Sequence, residues 1–305
     1  MKITRSRKLL GVVGVLTLAV SLSACGSSSN NSSSSTTPAA QSSAVAAPSV
    51  DPSLAAKVPA DIKSKGTLTI GADASYAPNE YLAPDGKTVI GWDVDLFNAV
   101  AAKLGLKTQW QNAKFTTIIP AVQSGKYNFG VSSFSINAQR LAQVNMVSYY
   151  NAGTQWAQKT GGSIDPNNAC GKKVAAQTGT VQVDDVTARS KKCTSAGKSA
   201  ITIDQYQLQS DATSAVVSGK DEAMLADSPI CAYAVKQTNG QLALVGSIYD
   251  AALYGYVLPK DQTDFAGAVA SAVKELIADG TYNQILTKWG VQVGAITNPT
   301  VNPTP

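Results

Sequence analysis

Twice along this chain a short β-branched run gives way to a helical period, and both times the order is strand, helix, strand, helix, strand. In the first pass TLTIGA at 67–72 reads as a buried strand behind Gly66. Leu96, Val100 and Leu104 then share one face of a helix over 93–104, which Gly105 closes. A strand at 107–111, a helix at 116–124 and a strand at 128–132 complete this half. The second pass runs through strands at 174–177, 201–203 and 222–226, separated by helices at 181–190 and 208–218. Such alternation demands right-handed crossovers and a mostly parallel sheet in each half. The chain is therefore predicted to be α/β, with two lobes of helix-flanked sheet. Lobe 1 takes 58–153 plus 253–293 and lobe 2 takes 154–252, because the helical period at 263–278 comes after the second half and is expected to pack back on the first. Crossovers are expected near 153–157 and 251–255. Ligands of open α/β sheets sit beyond the carboxyl ends of the strands, which places a small molecule in the cleft between the lobes.

The N-terminus has a different character. Lys2, Arg5, Arg7 and Lys8 precede an apolar run over 9–20, followed by Leu22, Ser23, Ala24 and Cys25. Charged, apolar and small residues in that order describe an export signal over 1–24. The run is too short for a bilayer, which takes about 20 apolar residues. The last four residues resemble a lipobox, which implies a diacylglyceryl thioether on Cys25 and places the body on the outer face of the cell membrane. The alternative is an ordinary signal peptide ending beside a cysteine. From 26 to 49 there is no charge and a single Val, so 25–57 is expected to be a disordered tether, and 294–305 a disordered tail. The full chain has 25 basic and 20 acidic residues and a pI near 8.9. Removing the four basic residues of the signal leaves 21 against 20. The apparent basicity is an export device, and no nucleic-acid partner is implied.

The third strand of the first half runs into Ser132, Ser133, Phe134, Ser135, Ile136, Asn137, Ala138, Gln139 and Arg140. Its hydroxyls and N–H groups can bind a polar ligand, and the planar Arg140 fork suits a carboxylate. A Ser or Asn helix cap followed by a solvated arginine is the competing interpretation. The wider series GADASYAPNEYL, DGKTVIGWDVDLFNAVAAKLG, FTTIIPAVQSGKYN, SSFSINAQR, VAAQTGT, EAMLAD and DGTYNQILTKWG resembles, in order, the extracellular solute-binding proteins of polar amino-acid ABC importers. That resemblance covers almost the whole body and implies a two-lobed periplasmic-binding-protein (type II) fold. It implies that Arg140 and Ser135 hold the ligand α-carboxylate, with the backbone of Gly179, Thr180 and Val181 pointing at it from the other lobe. Ser133 and Asp227 take the α-ammonium in this scheme, Tyr76 and Phe115 enclose the side chain, Asp73 lies in the same pocket, and Gln182 follows the carboxylate turn. For Asp227 the alternative is a cap on the helix beginning near Ser228. The sequence departs from the family at Asn79, where an aromatic is usual in the Pro-x-Glu segment, and at Val181, where Thr is common.

The partners implied are a free amino acid, an ABC permease and ATPase complex, and the membrane through the lipid alone. The protein is expected to be a monomer without cofactor, and hinge closure over a zwitterion split between two lobes is the expected mechanism. Cys170 and Cys193 bracket a strand and a returning helix of similar length, so a disulfide is expected between them rather than free thiols, with Cys231 in the core. There is no histidine, and glutamate occurs only at 80, 222 and 275, which leaves little for metal or catalytic chemistry. A ligand-binding sensor, or an exported dehydratase or peptidoglycan lyase on the same fold, are the alternatives.

Overall fold

The computed structural model describes residues 45–305. The export signal, Cys25 and the tether up to residue 44 lie outside the described residues. Two short helices, α1 (Pro52–Ala55) and α2 (Ala60–Lys65), lead into β1 (Thr67–Ala72). A small three-stranded sheet follows, β2 (Ser75–Tyr76), β3 (Glu80–Leu82) and β4 (Val89–Ile90), then α3 (Trp92–Lys103) and β5 (Lys107–Asn112). Next come α4 (Phe115–Gln123), β6 (Phe129–Gly130), α5 (Ala138–Leu141) and the long β7 (Asn145–Lys159). The second half holds β8 (Lys173–Gln177), α6 (Val181–Ser195), β9 (Thr202–Tyr206), α7 (Gln209–Ser218), β10 (Ala223–Asp227) and α8 (Ser228–Gln237). The 17-residue β11 (Leu242–Leu258) leads to α9 (Thr263–Ala278) and α10 (Thr281–Trp289).

Within each half the pairing is parallel: β1 with β5 and β6, β8 with β9 and β10. The halves are not separate sheets, however. The antiparallel β7 and β11 join them into one ladder of order β5-β1-β6-β11-β7-β10-β8-β9. Along β7 the flank changes near Ala152, which pairs Ala252, and Thr154, which pairs both Asp227 and Tyr249. One apolar core contains Leu68, Ile70, Phe97 and Val100 together with Phe265, Val269, Val273 and Leu276, so α9 packs on the first half although it follows the second in sequence. The other half encloses its own clusters, including Ala175, Met224 and Ile230 on one side of its sheet and Trp156, Val174 and Leu225 on the other.

Both flanking segments depart from the disorder read in their composition. Asp51 caps α1 through Ser53 and Leu54, its backbone N–H donates to Lys103 O at 2.9 Å, and Leu54 and Val58 are buried in the first core. At the other end Val301 bridges Val147, and Asn302 N donates to Met146 O at 2.7 Å. A few well-placed apolar residues and backbone pairing with β7 suffice to order segments whose average composition is polar. The strand predicted at 128–132 is shorter, Phe129–Gly130, because the chain turns at Ser133 with φ 51.

Cys170 and Cys193 form a disulfide with Cα atoms 5.5 Å apart, and Cys231 is a buried free thiol that donates to Gln155 O at 3.2 Å. No helix among the described residues is long and apolar enough to cross a membrane. Before α3, Gly91 adopts φ 142, and a Cβ there would stand 1.9 Å from Asn79 O. Gly91→Ala is therefore expected to destabilise the fold by about 2 kcal/mol or more, read as a lowered midpoint of urea unfolding at unchanged slope.

Candidate functional site

A polar cavity between the halves is lined from the first by Asp73, Tyr76, Phe115, Ser132, Ser133, Ser135 and Arg140, and from the second by Gln177, Thr180, Val181, Gln182 and Asp227. Each contributor stands where a strand ends or a helix begins. Asp73 follows β1, Gln177 ends β8, Asp227 ends β10, Arg140 lies in α5 and Thr180 immediately precedes α6.

Arg140 is held in place before any ligand is considered. Its α5 turn starts at Asn137, whose side chain accepts from Arg140 N at 2.8 Å, so the Asn cap is real. The guanidinium is nevertheless buried rather than solvated, at 8% exposure. Nη1 donates to Ser135 O at 2.7 Å and Nη2 to Gly179 O at 3.3 Å, across the cleft. The planar group lies 5.4 Å from the centroids of both Phe115 and Phe134, whose rings are stacked on each other. Burial pulls its pKa down to about 10, which leaves it cationic at neutral pH.

Asp227 is the N-cap residue of α8 by position, yet its side chain makes no capping bond. Oδ2 accepts from the hydroxyls of Tyr76 at 2.8 Å and Tyr254 at 2.7 Å, and Oδ1 from Gln182 Nε2 at 2.8 Å. Burial raises this carboxyl, and the hydrogen bonds and the Arg140 charge oppose that rise. Asp227 and Arg140 feel each other's charge but form no salt bridge in the described structure.

Asp73 is the third buried charge. Its Oδ1 accepts from Ser75 Oγ at 2.5 Å and Ser75 N at 3.2 Å, its Oδ2 from Phe115 N at 2.9 Å and Gln177 Nε2 at 3.1 Å. All four donors are neutral, and burial raises the carboxyl. Gln177 bridges the halves here, as Gln209 N does by donating to Ser75 Oγ at 3.0 Å.

Ser133, Ser135, Thr180, Val181 and Gln182 all line the cavity. Gly179 lines a neighbouring one of about 230 Å³ beside Arg140, with Phe115, Asn137, Val181 and Asp184. Its φ of 82 and a virtual Cβ 2.6 Å from Thr116 leave room for glycine alone. Asn79, where the sequence departs from the aromatic usual in the family, is fully buried and does not line the cavity. Its Oδ1 accepts from Trp92 Nε1 at 2.7 Å and its Nδ2 donates to Ser133 Oγ at 2.8 Å. The amide replaces an aromatic by bonding to one. Sequence reasoning missed Gln177, which lines the cavity, and Tyr254, which supports Asp227 from behind it. Gln177 was within reach of the rule that ligands lie beyond strand ends, since it terminates VAAQ. Nothing in the alternation of β11 marks Tyr254.

The model of the bacterial extracellular solute-binding proteins, family 3, matches residues 68–292. The arginine-binding protein ArgT of Corynebacterium glutamicum is 34% identical over 302 residues, covering 98% of this chain and 97% of that protein. Among solved structures, an ancestral arginine-binding protein bound to arginine is 30% identical with a TM-score of 0.67, over 73% of this chain and 98% of that one. The ancestral amino acid-binding protein AncCDT-1, a precursor of cyclohexadienyl dehydratase, is 28% identical with a TM-score of 0.68, over 75% and 97%. With a cleft built from two α/β halves and a match spanning most of its length, the chain belongs to the bacterial extracellular solute-binding proteins of family 3.

Proposed function

We propose that this chain is the receptor of an ABC importer for a free amino acid with a cationic side chain, foremost arginine, which it binds unchanged and delivers to a membrane permease. In this reading Arg140, with Ser135 and the N-terminal turn of α6 at Thr180 and Val181, takes the α-carboxylate, a favourable place for an anion. Asp227 and Ser133 take the α-ammonium, and Tyr76 and Phe115 enclose the aliphatic part of the side chain. The thioether at Cys25 keeps the cleft at the outer face of the cell membrane.

The observation that carries the choice of a cation is Asp73. Once Arg140 and Asp227 are assigned to the zwitterion, a buried carboxylate remains whose four hydrogen-bond donors are all neutral. A buried charge without a counter-charge is costly, and a guanidinium or ammonium arriving with the ligand removes that cost. The arginine-binding names of the relatives above agree with it. Calorimetry of the refolded protein against the common amino acids is expected to rank arginine first. Asp73→Asn should lose about 2 kcal/mol for arginine and little for glutamine, because only the charge partner changes. A flat response over the panel overturns the function, equal losses for both ligands overturn the role of Asp73, and a chemically altered ligand would return the enzyme reading.

A further inference from the structure

Behind the cleft, two carboxyls that the binding scheme does not use face each other. Glu80 begins β3 and Asp93 stands in the first turn of α3, and both are inaccessible to solvent. The backbone brings them together: Trp92 N donates to Pro78 O at 3.2 Å and Asp93 N to Asn79 O at 3.1 Å, over the glycine that admits no side chain. Glu80 lies within hydrogen-bonding reach of Asp93. Three hydroxyls serve three of their four oxygens: Ser132 Oγ donates to Glu80 Oε1 at 3.2 Å, Ser133 Oγ to Glu80 Oε2 at 3.1 Å, and the Tyr149 hydroxyl to Asp93 Oδ2 at 2.6 Å. Asp93 Oδ1 has no donor that meets hydrogen-bond geometry, although the Ser133 backbone N–H faces this carboxyl. No lysine or arginine pairs with either residue in the described structure. The other titratable groups facing the pair are Asp73, Tyr149 and Tyr256. The first brings a like charge, and the Tyr256 hydroxyl is itself unpartnered.

Two ionised carboxylates in contact in a dry interior pay for desolvation and for mutual repulsion, and both costs vanish when one of them keeps a proton and donates it to the other. We infer that Glu80 and Asp93 share one proton and act as a positioning pair for Ser132 and Ser133, the two cleft residues hung from Glu80. Neither carboxyl touches the ligand. Their role is to hold the Ser133 turn in its left-handed conformation with both hydroxyls engaged, so that the turn presents the same face to the cleft. Burial raises both carboxyls, and the charge of Asp93 adds to the rise at Glu80. The sign follows: a raised carboxyl favours the folded arrangement at low pH, and that advantage is lost as the pH climbs through the range of the pair. Loss of the shared proton drives the carboxyls apart and releases the serines, so affinity falls on the alkaline side.

This inference rests on the proposed function for its binding readout, and a second readout does not. Infrared spectra are recorded at pH 7 on protein labelled with 13C at the carboxyls of glutamate or of aspartate. The chain has only three glutamates; Glu222 is exposed, Glu275 is half-buried, and both are ion-paired. A carboxylic-acid C=O band is expected in one labelling, and it should disappear in Glu80→Gln or in Asp93→Asn. Its absence from both labellings overturns the inference. For binding, wild-type affinity for L-arginine is expected to fall about tenfold as the pH is raised through about 7 and beyond. Glu80→Gln, whose amide is a permanent donor to Asp93, should keep the acid-side affinity with a flat profile, and a profile parallel to wild type overturns the role. Asp93→Asn replaces it if Glu80→Gln does not fold. If no amino acid binds at any pH the functional reading fails, while the infrared result still decides the pair.

Discussion

Arg140→Ala is expected to weaken amino-acid binding by about 2–5 kcal/mol, the usual cost of truncating one side of a buried, hydrogen-bonded charge pair. Two properties of the residue put the effect at the upper part of that range. The guanidinium is already desolvated against the stacked rings of Phe115 and Phe134, so little of the cost of burying it is left for the moment of binding. Its Nη1 is fixed by Ser135 O, which aims the remaining N–H groups without loss of side-chain freedom. Arg140→Lys should recover only part of the loss, because an ammonium reproduces neither the planar fork nor the stacking. Titration calorimetry on all three proteins reads this directly. Unchanged affinity in the alanine variant would remove the carboxylate from this end of the cleft.

Asp227→Asn should cost a comparable amount by a different route. The carboxylate gathers Tyr76 from one half and Gln182 from the other, with Tyr254 from β11 as a third donor, and is assigned to the ligand ammonium. The amide removes the charge and turns one acceptor into a donor aimed at groups that are themselves donors, a mismatch of about 1–3 kcal/mol in addition to the lost ion pair. Tyr254→Phe removes only one neutral hydrogen bond and should cost about 1 kcal/mol. Far-UV circular dichroism confirms that the variants are folded, and comparing their dissociation constants separates the charge from its support. Equal effects of Asp227→Asn and Tyr254→Phe would show the aspartate to be structural.

The alternation of strands and helices was readable because each element shows its own period. β1 falls on 67–72 and α9 on 263–278, both as the pattern indicates. The sequence conceals the joining of the halves, since β7 is buried almost throughout and β11 mainly in its last residues, so neither shows a simple alternation, and their burial follows from neighbours distant in sequence. The same reason separates the site residues that could be read from those that could not. Arg140 and Asp227 stand at element ends next to chemically distinctive neighbours, whereas the orientation of Asn79 is set by Trp92 and Ser133, one 13 and the other 54 positions away. Average composition misled at 45–57 and 294–305, where single contacts such as Leu54 and Val301 order a polar segment.

The two connections between the halves are not independent tethers. Ala152 and Ala252 pair within one antiparallel ladder, so the strands carrying the chain out and back are bonded to each other where it passes between halves. Mechanically this is a ribbon rather than a pair of strings. It resists being pulled lengthwise and slipping sideways, and it yields most readily to bending and twisting about a single shared line. Such a connection would confine relative motion of the halves to nearly one coordinate. A hinge closure of the kind proposed for this chain would then bring residues as far apart in sequence as Asp73 and Asp227 back to the same register each time.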